Sequence, residues 1–186
     1  MSKLLQISCL GHKVLRQKAA FVKEVGNREI QELIDDLIAT VKDVNGVGIA
    51  APQVYQSKRI FIIASNPNPR YPNAPKMRPT AVINPRILSH SEKKVKDWEG
   101  CLSIPGIRGL VPRYQSISVE YTDRKGKIRK RQFKDFIARI FQHEYDHLDG
   151  VVFLDRLEST KDIVTEREYL RIIAKTTKNE WTSACR

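Results

Sequence analysis

The sequence predicts an α+β fold in a single domain, with an amphipathic helix near the start and another near the end. Three observations carry this reading. The 186 residues fit one domain of ordinary size. Apolar residues recur at helical spacing early in the chain. Strand-like runs are then grouped ahead of a second helical stretch, without the strand–helix alternation of a parallel sheet.

The first helix follows Asn27, where Ile30, Leu33, Ile34, Leu37, Ile38 and Val41 fall on one stripe. Asn27 suits the cap and Asn45-Gly46 lies beyond the end. Residues 59–64 (Arg-Ile-Phe-Ile-Ile-Ala) read as a buried strand. Residues 65–80 hold Pro67, Pro69, Pro72, Pro75 and Pro79, which makes them a surface loop. Strand-like runs follow at 81–88, 116–121 and 127–133, the last two joined across 123–126 as a hairpin. A second helix starts near Lys134 and runs through His147, with Phe136, Ile137, Ile140 and Phe141 facing inward. A third amphipathic helix is expected between residues 159 and 176 on Ile163, Val164, Leu170 and Ile173. Residues 159–186 then form a C-terminal helix and tail.

Composition narrows the function classes. With 41% hydrophobic and 29% charged residues the chain reads as folded, not disordered. A chain of this length buries about 70% of its unfolded surface, so it needs no disulfide or metal merely to fold. No run approaches the ~20 apolar residues of a membrane span. The opening Met1-Ser2-Lys3-Leu4-Leu5-Gln6 turns polar too early for a signal peptide and is too poor in Arg for a transit peptide. Cys9, Cys101 and Cys185 are odd in number and widely spaced, so no disulfide framework is expected. A reducing bacterial cytoplasm is the expected location, an organelle only if a transit segment is missing from this chain. The net charge of +12 favours acidic partners such as RNA or a ribosomal surface. Seven of the eleven residues 124–134 are basic, without the interleaved aromatics of a base-stacking platform. That run reads as a solvated hairpin with non-specific phosphate affinity.

The chemistry concentrates in three segments. His143-Glu144-Tyr145-Asp146-His147 is an H-E-x-x-H on a predicted helix, where residues four apart share a face and can reach one metal ion. Glu144 stands where a carboxylate can take a proton from an activated water. A catalytic site of this kind wants a third protein ligand. No His follows His147, and Glu158, Glu166 and Glu168 are ordinary helix-surface candidates. Cys101, between Gly100 and Leu102-Ser103-Ile104-Pro105-Gly106, is poorly placed for a core and well placed at a bend or strand end. Its thiolate would be a soft ligand. Gly46-Val47-Gly48-Ile49-Ala50-Ala51-Pro52-Gln53 offers bare backbone that another chain can approach, ending in an amide suited to a developing oxyanion. Cys9, Cys185, His12 and His90 are assigned no role.

These segments, G-V-G-I-A-A-P-Q, E-G-C-L-S and Q-H-E-Y-D-H-L-D-G in that order, resemble the three signature motifs of the peptide deformylase family. The resemblance runs from the first helix to Val151-Val152-Phe153. Ile49 stands where the family more often has Leu, and the loop at 65–80 is longer than in the shortest members. The family removes the N-formyl group from the initiator methionine of newly made proteins. Its fold is antiparallel strands around a central metal-binding helix. By this resemblance Cys101, His143 and His147 bind the metal, and Glu144 is the general acid/base. Gln53 and the backbone N–H of Leu102 then stabilise the oxyanion. The implied cofactor is one divalent ion, Fe²⁺ in the cell, with Zn²⁺ or Ni²⁺ often found in preparations.

Val47, Phe136 and Ile140 are candidates for the methionine pocket. The substrate backbone is expected to add as a strand beside Gly46, Val47 and Gly48. Arg108 could donate to a substrate carbonyl, although an exposed loop arginine is the commoner reading of that position. Gln142 and Asp146 could bond ligand nitrogens or hold nearby backbone. The expected partners are formyl-methionyl polypeptides, with transient ribosome contact and no membrane. Two other readings stay open: an H-E-x-x-H endopeptidase of another lineage, which keeps its metal without Cys101, and a basic ribosome- or RNA-binding module with a structural metal.

Overall fold

The computed structural model describes residues 2–68 and 70–174. The expected end of the third helix, Cys185 and the tail at 175–186 lie outside the described residues. Helix α1 (Arg28–Asp43) starts where Asn27 accepts a 2.8 Å hydrogen bond from the Glu29 N–H, and it buries Ile30, Leu33, Ile34, Leu37 and Val41. Asn45, with φ 50°, turns the chain out of the helix. Strand β1 (Gly48–Ala50) then pairs with β2 (Ile60–Ile63).

Both faces of β2 are covered, which explains its unbroken apolar run. Ile60 and Ile62 pack toward α1, whereas Phe61 and Ile63 pack toward the second helix, α2 (Asp135–Leu148). Strands β3 (Thr80–His90), β6 (Ser116–Thr122) and β7 (Ile128–Lys134) complete an antiparallel sheet of order β1-β2-β3-β6-β7. The sheet is thus sandwiched between α1 and α2.

A second, three-stranded sheet was not foreseen. Strands β4 (Lys94–Cys101) and β5 (Ile104–Tyr114) form a hairpin, and β8 (Ile163–Thr165) adds to the other edge of β5. Strand β4 is mostly exposed and β5 carries Pro105, Gly106, Gly109 and Pro112, so neither shows an alternating apolar pattern. Val111, Ile104, Val152 and Phe153 make a small core under this sheet. Helix α2 lies between the two sheets.

The C-terminal expectation needs correction. Ile163 and Val164 are on β8, not on a helix, because this β-branched run meets the open edge of β5. The helix begins only at 166 and is helical up to 174, the last described residue; of its described residues Tyr169 is buried and Leu170 is exposed. The proline-rich segment has no regular structure over its described residues 65–79 apart from one bridge between Asn68 and Tyr71. It is not simply a surface loop, since Ser65 and Ala74 are buried in it.

Candidate active site

Strand β1 and strand β4 are edge strands of their sheets, and both line one cavity of about 270 Å³ whose floor is α2. The backbone from Gly46 to Gly48 forms one wall and residues 98–102 the other. Helix α2 brings His143 and Glu144 into the lining of this cleft and sets His147 one turn further on, and all three are buried. Cys101 ends β4, and the two-residue turn Leu102-Ser103 follows it.

The three expected ligands converge. One donor atom from each of Cys101, His143 and His147 lies within 4.8 Å of the others. Cys101 Sγ is 3.3 Å from His147 Nε2. That is near the ~3.6 Å edge of a tetrahedron built on metal–sulfur and metal–nitrogen bonds of about 2.3 and 2.1 Å. His143 Nδ1 is 2.9 Å from Glu99, which leaves Nε2 for an ion. Burial, reinforced by the nearby His143, pushes the His147 ring well down and keeps it neutral, as a ligand must be. Burial also opposes charge on His143, but the Cys101 sulfur and Glu99 outweigh it and raise that ring. The donor set of one thiolate and two imidazoles fits a divalent transition metal. Among the described residues the rival carboxylates are engaged elsewhere: Glu158 bonds Lys96, Glu166 bonds Arg108 and Glu168 bonds Arg171.

Glu144 stands beside this set. Burial raises its carboxyl to about 7, and its Oε2 has no hydrogen-bond partner among the described residues. A buried carboxylate oxygen without a partner is costly and marks a group kept for a reactant. Gly48 makes room for it: a Cβ there would overlap Glu144 Oε1 and stand 2.9 Å from Cδ. We expect Gly48→Ala to displace Glu144 and lower kcat by about 10²-fold, with metal content unchanged by elemental analysis. Equal loss of metal would instead point to general disruption.

Gln53 is buried in a short 3₁₀ turn. Its Oε1 accepts from the Ala50 N–H at 2.8 Å, which aims Nε2 at the cleft. Nε2 donates to Ser103 Oγ at 3.2 Å and lies 3.4 Å from Cys101 Sγ. Val47, Phe136 and Ile140 line the cavity with Leu102.

Arg108 departs from expectation. It is not on an exposed loop but on β5, 2% exposed, in the cavity wall. Nε and Nη2 donate to Glu166 at 2.9 and 2.7 Å, and Nη1 donates to the Tyr71 hydroxyl at 2.9 Å. Gly100 leaves space for it, because a Cβ there would stand 2.6 Å from the guanidinium carbon. Asp146 bonds no ligand nitrogen; it holds Arg113 at 2.5 Å and Arg156 at 2.6 Å. Gln142 braces the backbone N–H and carbonyl of Tyr114.

Sequence reasoning missed the residues that support the ligands. Glu99 accepts from Arg113 at 2.9 and 3.0 Å and from Arg139 at 2.8 Å while facing His143. The signal for Arg139 was its spacing: 139, 143 and 147 follow one another in steps of four on one helix face. Burial alone would raise the Glu99 carboxyl, but Arg113 and the His143 hydrogen bond hold it well below the usual carboxylate range. Glu99→Ala leaves two buried guanidinium groups without their shared partner, so urea unfolding should show a loss of about 3–5 kcal/mol. Because the folded-state value is depressed, this contribution is present above pH ~4 and fades as pH falls below it. A stability loss that stays the same down to pH 3 would contradict that account.

The comparisons agree with one another. The family model for polypeptide deformylase matches residues 4–162. The chain is 62% identical over 176 residues to "Peptide deformylase 2" of Nostoc sp., covering 95% of this chain and 98% of that protein. It is 41% identical to "Peptide deformylase 2" of Shewanella oneidensis, over 90% and 92% of the two chains. A Met-Ala-Ser-bound class I type b peptide deformylase from Acinetobacter baumannii superposes with TM-score 0.82 at 44% identity, covering 84% of this chain and all of that one. Peptide deformylase from Thermotoga maritima gives TM-score 0.76 at 34% identity, covering 84% of this chain and 99% of that one.

Proposed function

This chain belongs to the polypeptide deformylase family, and we propose that Cys101, His143 and His147 hold its metal while Glu144, Gln53 and the Leu102 N–H act on the formyl amide. The chain is a metallohydrolase that removes the N-formyl group from the methionine of newly synthesised proteins and releases formate. The observation that supports the assignment of roles is the meeting of three candidate ligand atoms beside a buried carboxylate whose Oε2 has no partner among the described residues. When bound, the divalent ion supplies Lewis acidity and lowers the pKa of water.

The protein's own groups supply the rest. Glu144 Oε2 takes a proton from the attacking water, and the water oxygen bonds to the formyl carbon. As the formyl C=O becomes an oxyanion, Gln53 Nε2 and the Leu102 N–H donate to it. The C–N bond then breaks, and Glu144 passes its proton to the departing amine. A carboxyl poised near 7 can both accept and return that proton. The backbone of Gly46 and Val47 leading into β1, with Gly48 at its start, receives the substrate backbone. Val47, Phe136 and Ile140 receive the methionine side chain, exposing no charge to it. Arg108 acts here through position: tied to Glu166 and Tyr71, it shapes the cavity wall.

The metal is read as Fe²⁺, the thiolate and imidazoles being equally able to hold Zn²⁺ or Ni²⁺. The place of action is read as the bacterial cytoplasm, since the relatives are bacterial and no helix among the described residues is long and apolar enough to cross a membrane. Transient ribosome contact fits the β6–β7 hairpin, where Lys125, Lys127, Arg131 and Lys134 are exposed at the sheet edge.

The experiment is formate release from a formyl-Met peptide under anaerobic conditions. Fe²⁺-loaded protein is expected to turn over, chelated protein to stop and Fe²⁺ to restore it. Absence of turnover at one metal per chain would overturn the reading.

A further inference from the structure

We propose that a basic groove beside the active-site cavity binds the formylated chain about three to five residues beyond its methionine and favours Asp and Glu there. This deepens the deformylase reading and rests on it. The groove lies between the end of α1 and the proline-rich segment, and Lys42, Asn45, Gly46, Lys76, Met77 and Arg78 are among its lining residues. Asn45 and Gly46 also line the catalytic cavity, so the two spaces adjoin along one stretch of backbone, where Arg70 Nη2 donates to the Val44 and Asn45 carbonyls. Lys42, Lys76 and Arg78 are exposed, and among the described residues no carboxylate lines the groove.

The direction of the substrate follows from the edge strand. The formyl carbon has to lie by Glu144, and Gly48 is the point of β1 against Glu144. A chain lying along the open edge of β1 has two ways to leave. Toward Ala51, Pro52, Gln53 and Val54 the way is closed, because all four are buried. The other way runs back past Val47 and Gly46 to Asn45, and there the groove opens. An extended substrate advances about 3.3 Å per residue, so with its methionine at Gly48 its fourth residue lies about 10 Å away on the Asn45 side. The next residues pass between Lys42 on α1 and Lys76 and Arg78 on the loop. Three cations without an acidic neighbour in the wall favour carboxylates and disfavour lysines in that stretch.

The test compares kcat/KM for formyl-Met hexapeptides carrying Asp, Ser or Lys at positions 4–6, measured on one preparation of metal-loaded enzyme. Each exposed pair is worth a factor of roughly 1.4–5, so wild type should prefer the Asp peptide over the Lys peptide by about tenfold at low salt. That ratio should shrink toward unity near 0.5 M salt, where the Debye length is about 4 Å. In the triple variant K42A/K76A/R78A it should be close to 1 at any salt. Because the ratio is taken within each preparation, differences in folded fraction or metal loading cancel. A wild-type ratio near 1, or the same ratio in the variant, overturns the groove assignment while formate release leaves the deformylase reading standing. No formate from any peptide overturns both.

Discussion

Replacing Glu144 by Gln lowers kcat for formate release by about 10²–10⁴-fold, the span expected when a general acid–base is removed. The amide keeps the shape of the side chain and can neither accept nor return the proton. Glu144 is not among the proposed ligands, so metal content is expected to stay at one ion per chain. The stability change separates this residue from a structural one. Its carboxyl is buried, with Oε2 unpartnered among the described residues, and is pushed up to about 7 by that burial. Folding at neutral pH therefore carries a cost, because a buried charge is held where a neutral group would sit more easily. The Tm of Glu144→Gln should equal or exceed that of wild type. A variant that keeps a tenth of wild-type kcat, or one that loses activity only in proportion to unfolding, removes Glu144 from the proton-transfer role.

Cys101→Ala is expected to take metal content below about a tenth of an ion per chain and to abolish turnover. Losing one of the three proposed ligands leaves only two imidazoles, and a catalytic site of this type needs three protein ligands. The variant also decides against an H-E-x-x-H endopeptidase with a downstream carboxylate ligand, which would keep its ion. The structure already weakens that alternative, since Glu158, Glu166 and Glu168 are paired with Lys96, Arg108 and Arg171. Circular dichroism should show the variant folded, because the small core near Cys101 rests on Ile104, Val111, Val152 and Phe153. Retention of metal by folded Cys101→Ala overturns the ligand set.

The local code was strong where one physical constraint dominates a short segment. The apolar stripe of α1, the unbroken run of β2 and the hairpin at β6–β7 follow from burial and turn chemistry within a few residues. The H-E-x-x-H of α2 is likewise local, since helical geometry alone puts His143 and His147 on one face. Pairing Cys101 with them took the resemblance of three motifs, because nothing local links residues more than forty positions apart.

Tertiary structure decided the rest, and in each case the cause is a neighbour distant in sequence. Strand β4 is an exposed edge whose partner is set by pairing with β5, so it lacks the alternation that reveals a half-buried strand. Ile163 and Val164 become a strand only because β5 has an edge to fill. Arg108 looks like a solvated loop residue until Glu166 and Tyr71 close on it. Glu99 gains its place only when Arg113, Arg139 and His143 surround it, since a carboxylate can be buried only with its charge matched by partners. The sequence by itself determined the helix α2 and pointed to the groups proposed to react on it. Only the folded chain decided which charges balance them and which edges open the cleft, because desolvation and strand pairing depend on groups brought together from across the chain.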